Sequence, residues 1–364
     1  MQILKKLDRR WWWIILGATA ILIRYLLGFS PQLIEQVYSR GLFQVIRRIL
    51  DWTIGLLPFS SLYLLIALLL WLIGRGIFRF FRSALPLWRR LLDSLFSLIA
   101  FFSLIIFLFL FLWGINYGKV PVERQLQLSV APLRLEELQS ELAFSLSEAM
   151  KYRQQLSPDT TQAISFAVKN SEMGPLIRQA VQKSLEQEGF PNGGLPPLRM
   201  LYPQGSLLVI NTAGFYMPLT GECHVDPGLH PIQLPFVIAH EYHHAYGFTD
   251  EGSCNFMAYL AGLQSDDPRV LYSTHVSYWR YLASNFRRGW PDQYKEYYQS
   301  LPKALRLDLR AIDEQMDRFP ELFPKLRYAA YDTYLKSQGI SEGMKSYSRV
   351  VLLVNAWRKA QREQ

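Results

Sequence analysis

Five consecutive residues, His240-Glu241-Tyr242-His243-His244, carry the pattern H-E-x-x-H. On a helix His240 and His244 fall one turn apart on one face, so both imidazoles can reach a single Zn2+, and Glu241 lies beside the metal where it can take a proton from water. The flanks suit a helix: Leu234 to Ala239 is an apolar lead-in, and Gly247 supplies a C-terminal stop. Without a metal, two imidazoles and a carboxylate between Ala239 and Ala245 would demand several compensating hydrogen bonds. A catalytic zinc takes three protein ligands and leaves one position open. Asp250 and Glu251 both follow within reach, because the chain turns at Gly247 through Phe248 and Thr249 and a second helix begins near Asp250. With Glu251 inward, Asn255 and Tyr259 follow on the same face, Asn255 placed to steady a ligand and Asp250 left as the helix cap. With Asp250 inward the spacing becomes H-E-x-x-H-x-x-G-x-x-D. The expected set is His240, His244 and Glu251 around Zn2+ with Glu241 as general base, and Asp250 as the alternative third ligand. His243 is one position off the ligand face and reads as structural. His224, His230 and His275 stand alone, although His275 or Tyr216 could polarise a substrate carbonyl.

Helical periodicity surrounds this motif. Leu133 to Leu156 and Asp159 to Gly189 read as helices, the second opened by Ser157-Pro158-Asp159. After the Pro/Gly-rich stretch Gly189 to Pro203, Ser206 to Asn211 and Thr220 to Val225 read as strands joined through a turn around Gly214 and Pro218. Helices resume over 232–246, 251–263, 270–288, 303–318, 326–337 and 342–359, giving an α+β, mostly helical domain over 133–364. Thr220 to Val225 reads as an edge strand that an extended substrate could join by β-augmentation. Cys223 and Cys254 flank the motif, and in an oxidising exterior they could form a bridge or stay as buried thiols.

The N-terminal third differs in kind. Residues 1–117 hold 13 Lys and Arg against 4 Asp and Glu, whereas residues 118–364 hold 26 against 26, so the net +9 belongs entirely to the first third. A basic field spread for nucleic acid is excluded, because these charges punctuate apolar runs. A bilayer core about 30 Å thick asks for roughly 20 apolar residues in a helix, and three windows supply them, at 11–29, 54–74 and 94–114. Arg24 lies inside the first, where it must snorkel or face another helix. The first window is too long and ends too bulky for a cleaved signal peptide. Lys5, Lys6, Arg9 and Arg10 precede the first span, and Arg75, Arg79, Arg82, Arg89 and Arg90 separate the second from the third, which assigns both clusters to the cytoplasm. The remainder then lies on the outer face, after a linker over 118–132. Arg40, Arg47 and Arg48 between the first two spans run against that rule, and Leu42 to Leu50 reads as an interfacial amphipathic segment.

The chain resembles an uncharacterised family of bacterial integral-membrane proteins, a domain of unknown function whose members share a zinc-peptidase-like motif. The resemblance runs from Trp113-Gly114-Ile115-Asn116-Tyr117 through Gly214-Phe215-Tyr216, Pro218 and Thr220-Gly221-Glu222 to the zinc helix. It continues through Gly247-Phe248, Glu251, Asn255-Phe256, Tyr272-Ser273, Tyr331-Asp332, Tyr334-Leu335, Ser346-Tyr347 and Val350-Val351. It implies a zincin-like metallopeptidase anchored in the bacterial cytoplasmic membrane, with Glu251 favoured over Asp250 as third ligand. Peptide-bond hydrolysis on the outer face is the function these readings predict, with the lipid bilayer as partner and no nucleic acid. The rival is a non-catalytic, zinc-stabilised membrane scaffold or accessory.

Overall fold

In the computed structural model, residues 8–339 and 349–363 are described. Lys5, Lys6, Ser346 and Tyr347 lie outside them, as does the start of the helix expected from residue 342. The chain divides into two units, 1–120 with the Met217–Gly221 turn, and 121–216 with 222–364.

In the first unit α1 (Arg10–Leu27) is followed by α2 (Pro31–Leu33), a π-helical stretch (Ile34–Leu42) and α3 (Phe43–Trp52), then by α4 (Leu62–Arg82) and α5 (Leu87–Leu112). Three of these, α1, α4 and α5, are long and apolar enough to cross a membrane, and few or none of their residues are buried. Side chains that remain exposed along such helices need an apolar surrounding, which marks a membrane protein. The middle helix begins at Leu62, not at Ile54. Pro58 has no N–H to give a helix, so the apolar run breaks into a short 3-10 turn, Ile54–Leu56, and a new helix that extends through Arg75, Arg79 and Arg82. Likewise α5 starts seven residues ahead of the expected span, directly after Pro86.

Helices α1 and α5 run parallel. Arg10 Nη1 contacts Asp93 Oδ1 at 2.7 Å and Ser97 Oγ at 2.8 Å, and Trp11 meets Phe96 edge-on at 5.1 Å. Two to three turns further, a Cβ on Gly17 would lie 2.6 Å from the Ser103 carbonyl, the close backbone approach that small residues permit between apolar helices. The segment Leu42 to Leu50 is helical and two-faced as expected: Phe43, Ile46, Arg47 and Asp51 are buried, whereas Val45, Ile49 and Trp52 are exposed. Arg47 reaches the Gly221 carbonyl at 2.9 Å and pairs with Asp51, which neutralises a guanidinium only 1% exposed.

The second unit is mostly helical. It contains α6 (Val122–Gln125), α7 (Leu135–Leu156), α8 (Asn170–Gln187), β1 (Leu198–Met200), β2 (Gly214–Met217), β3 (Glu222–Val225), α9 (Leu234–Ala245), α10 (Glu251–Gly262), α11 (Pro268–Gly289), α12 (Pro291–Ser300), α13 (Lys303–Met316), α14 (Pro324–Ser337) and α15 (Arg349–Glu363). All twelve residues of α10 are buried, the polar Glu251, Ser253 and Asn255 among them, so this helix runs through the core. Helix α8 starts eleven residues later than Asp159. The Asp159 carboxylate accepts from Thr161 N at 2.7 Å in a local turn, and Arg153, buried against Asp308 at 2.7 Å, holds the Asp159 and Gln162 carbonyls. These bonds give the 157–169 backbone a partner other than helix.

The sheet has the order β1-β3-β2, with β1 parallel to β3 through Leu198↔Cys223, Arg199↔His224 and Met200↔Val225. The expectation that Thr220 to Val225 forms an edge is therefore corrected. Glu222–Val225 is the central strand and is buried throughout, so no substrate can pair with it. Ser206 to Asn211 is a 3-10 turn rather than a strand, closed by Asn211 at φ 52°. The strand there is instead Gly214–Met217, on the sheet's outer side.

Candidate metal centre

Helix α9 ends in a tight cap. Gly247, at φ +92°, donates to the His244 carbonyl at 3.0 Å, and Phe248 N donates to the His243 carbonyl at 3.0 Å. This double bond is the Schellman arrangement, which wants glycine because the left-handed conformation crowds a Cβ. The reversal brings the Phe248 carbonyl back to His244 Nδ1 at 2.9 Å. Since a carbonyl only accepts, Nδ1 carries the proton and Nε2 presents its lone pair. Asp250 then caps α10, its carboxylate accepting from Ser253 N at 2.8 Å and Ser253 Oγ at 2.7 Å. It also faces Arg349 at 3.5 Å.

Glu251 stands in the first turn of α10. Its Oε2 lies 3.0 Å from His240 Nε2 and 3.6 Å from His244 Nε2, and the two Nε2 atoms are 3.1 Å apart. His240 Nδ1 contacts Asn255 Oδ1 at 2.8 Å, one helical turn past Glu251, which turns the His240 Nε2 lone pair to the same point. A tetrahedral ion with bonds of about 2.0 Å spaces its ligand atoms by about 3.3 Å, and the three measured separations bracket that value. His240, His244 and Glu251 thus form a group that could hold a metal ion. Asp250 is outside it, engaged as the cap.

Glu241 is 3% exposed, and its Oε2 has no hydrogen-bond partner among the described residues. Burial pushes its carboxyl up to about 7, against the opposing pull of His240 and His244. Gly214 opens β2 directly over this group: a Cβ there would lie 2.8 Å from Glu241 Oε1 and 2.6 Å from the His224 carbonyl. An orphaned carboxylate oxygen held dry beside converging lone pairs is costly unless a cation or a reacting proton uses it.

The other histidines do not join the group. His243 bonds the Ala239 carbonyl within its own helix at 2.7 Å. His224 is buried against the Phe215 ring, with Glu222 Oε2 3.7 Å from its Nε2. His275 is enclosed by Tyr152, Phe144 and Tyr259, so it presents no face for a substrate carbonyl. Cys223 and Cys254 are free buried thiols: Cys223 donates to the Glu241 carbonyl and Cys254 lies 3.3 Å from His244 Nδ1. Tyr331, from α14, donates its hydroxyl to Glu251 Oε1 at 2.7 Å. Its helical stripe with Leu335 is the one sequence signal that points inward here.

A family model described as "Protein of unknown function (DUF3810)" matches residues 38–355. The chain belongs to this family. The match takes in all of the converging residues, His240, Glu241, His244 and Glu251, together with Asn255 and Tyr331. No curated protein and no solved structure matches the chain.

Proposed function

We propose that this DUF3810 member is a membrane-anchored zinc metallopeptidase of zincin type, hydrolysing peptide bonds at the outer face of the bacterial cytoplasmic membrane. The observation that carries the reading is the convergence of His240 Nε2, His244 Nε2 and Glu251 Oε2 beside a buried carboxylate, one oxygen of which no described residue bonds. Two imidazoles and one carboxylate are a borderline donor set suited to Zn2+, and three ligands leave a position open. Bound there, zinc supplies Lewis acidity toward a carbonyl oxygen and makes water easier to deprotonate.

The remaining work falls to the chain. Glu241, buried beside the converging ligands with a carboxylate oxygen that no described residue bonds, is placed to take a proton and return it to a leaving amine. Asn255 and the Phe248 carbonyl fix which nitrogen of each histidine faces inward. Among the described residues strand β2 has a sheet neighbour only in β3, so its other edge suits pairing with an extended peptide, and Gly214 lets β2 itself lie close over Glu241.

The test uses the full chain in detergent. About one zinc per chain is expected in wild type, lost in Glu251→Ala and kept in Asp250→Ala. Glu241→Gln should keep the metal and lose turnover in a peptide library. Folded wild-type protein without metal overturns the reading, and a cleaving Glu241→Gln variant removes Glu241 from the chemistry.

A further inference from the structure

Glu251 uses its two oxygens differently. Oε2 faces both histidines at 3.0 and 3.6 Å, whereas Oε1 accepts the Tyr331 hydroxyl at 2.7 Å. A carboxylate can bind a metal through one oxygen or through both, and the second oxygen takes up space that an open position needs. An oxygen committed to a hydroxyl donor has one lone pair spent and is turned off the metal axis. We propose that Tyr331 is a positioning residue that holds Glu251 to a single coordinating oxygen and so keeps the metal four-coordinate with an open site. This rests on the metal reading above.

The fold supplies the means. Tyr331 lies 80 residues beyond Glu251 in the chain, so its place is set by packing rather than by local sequence. On α14, Arg327, Tyr331, Tyr334, Leu335 and Gln338 are shielded while the positions between them are largely exposed, the spacing of one helical face. Leu335, the one fully buried residue among them, anchors that face one turn past Tyr331. The Tyr334 ring stacks on that of Tyr331 at 6.0 Å with planes 20° apart, which limits swing of the phenol. Arg327 pairs with Glu321 at the helix start. The hydroxyl is thus delivered to one oxygen of one carboxylate. Phenylalanine fits the same space and removes only the donor.

The experiment loads the full chain in detergent with Co2+ and compares wild type, Tyr331→Phe and Tyr334→Phe. Four-coordinate Co2+ absorbs several times more strongly in the visible than five-coordinate Co2+. Tyr331→Phe should still bind cobalt, with its visible bands falling to less than half; Tyr334→Phe should match wild type. Cobalt bound by Tyr331→Phe with unchanged bands overturns the positioning role and leaves the metal centre standing. No cobalt in wild type overturns the metal reading and this inference with it.

Discussion

At the scale of single residues, two positions carry effects that their residue types alone do not announce. Gly214 has no side chain to contribute, but a methyl group there would collide with the Glu241 carboxylate. Gly214→Ala should therefore keep bound metal while lowering kcat/KM by up to about 100-fold, the cost of displacing a reacting group by an ångström; paired metal analysis and peptide cleavage measure it. His275 is the second. Burial holds its imidazole down to about 4, with Glu148 favouring the charged form and Arg358 and Lys151 opposing it. Its folded pKa lies below the ordinary 6.5, so on acidification the unfolded chain takes up a proton the folded chain refuses. Stability is complete above pH 6.5 and falls as pH drops from there toward 4, by on the order of 3 kcal/mol. Melting of the full chain in detergent at pH 7 and pH 5 reads this, and His275→Phe, which fills the same aromatic pocket, should flatten the slope. An unchanged slope would assign the acid lability to other groups.

At the scale of elements, the α9–α10 corner is the piece on which the metal group depends. Gly247→Ala puts a Cβ into a left-handed residue at a cost of about 1–2 kcal/mol. It also loosens the Phe248 carbonyl that orients His244. The variant should melt lower and bind Zn2+ more weakly, measured by competition with a chromophoric chelator; weaker melting with unchanged zinc affinity would confine Gly247 to stability. This corner was legible in the sequence, because a short motif, a glycine stop and an acidic cap are local signals. The sheet was less so. Met217 to Gly221 turns the chain back within a few residues, so β2 and β3 neighbour each other, but the other side of β3 is closed by β1, twenty-odd residues upstream. The start of α8 failed for a similar reason. Ser157-Pro158-Asp159 has the composition of a cap, but Arg153 and Asp308, buried together from α7 and α13, help draw that backbone elsewhere. Tyr331 stood in plain view as a tyrosine, but its approach to Glu251 is a tertiary fact.

At the scale of the whole molecule, charge and helix direction together make an argument about sidedness. Arg10 meets Asp93, and Gly17 packs on Ser103, so α1 and α5 point the same way. Arg9 and Arg10 at the start of α1 therefore share one end of the first unit with Arg89 and Arg90 at the start of α5. Arg75, Arg79 and Arg82, on the last two turns of α4, lead into the short link to α5. Basic residues clustered at one end of a set of spans favour the cytoplasmic side. On that rule the expectation is that the chain after α5 emerges on the opposite side. A C-terminal alkaline phosphatase fusion should be active and a fusion to a fluorescent protein that matures only in the cytoplasm should stay dark. Replacing Arg75, Arg79, Arg82, Arg89 and Arg90 together by Gln should weaken that preference and raise the fluorescent fraction. The opposite pattern in the unaltered chain would put the metal group in the cytoplasm and remove peptides of the outer face from its reach.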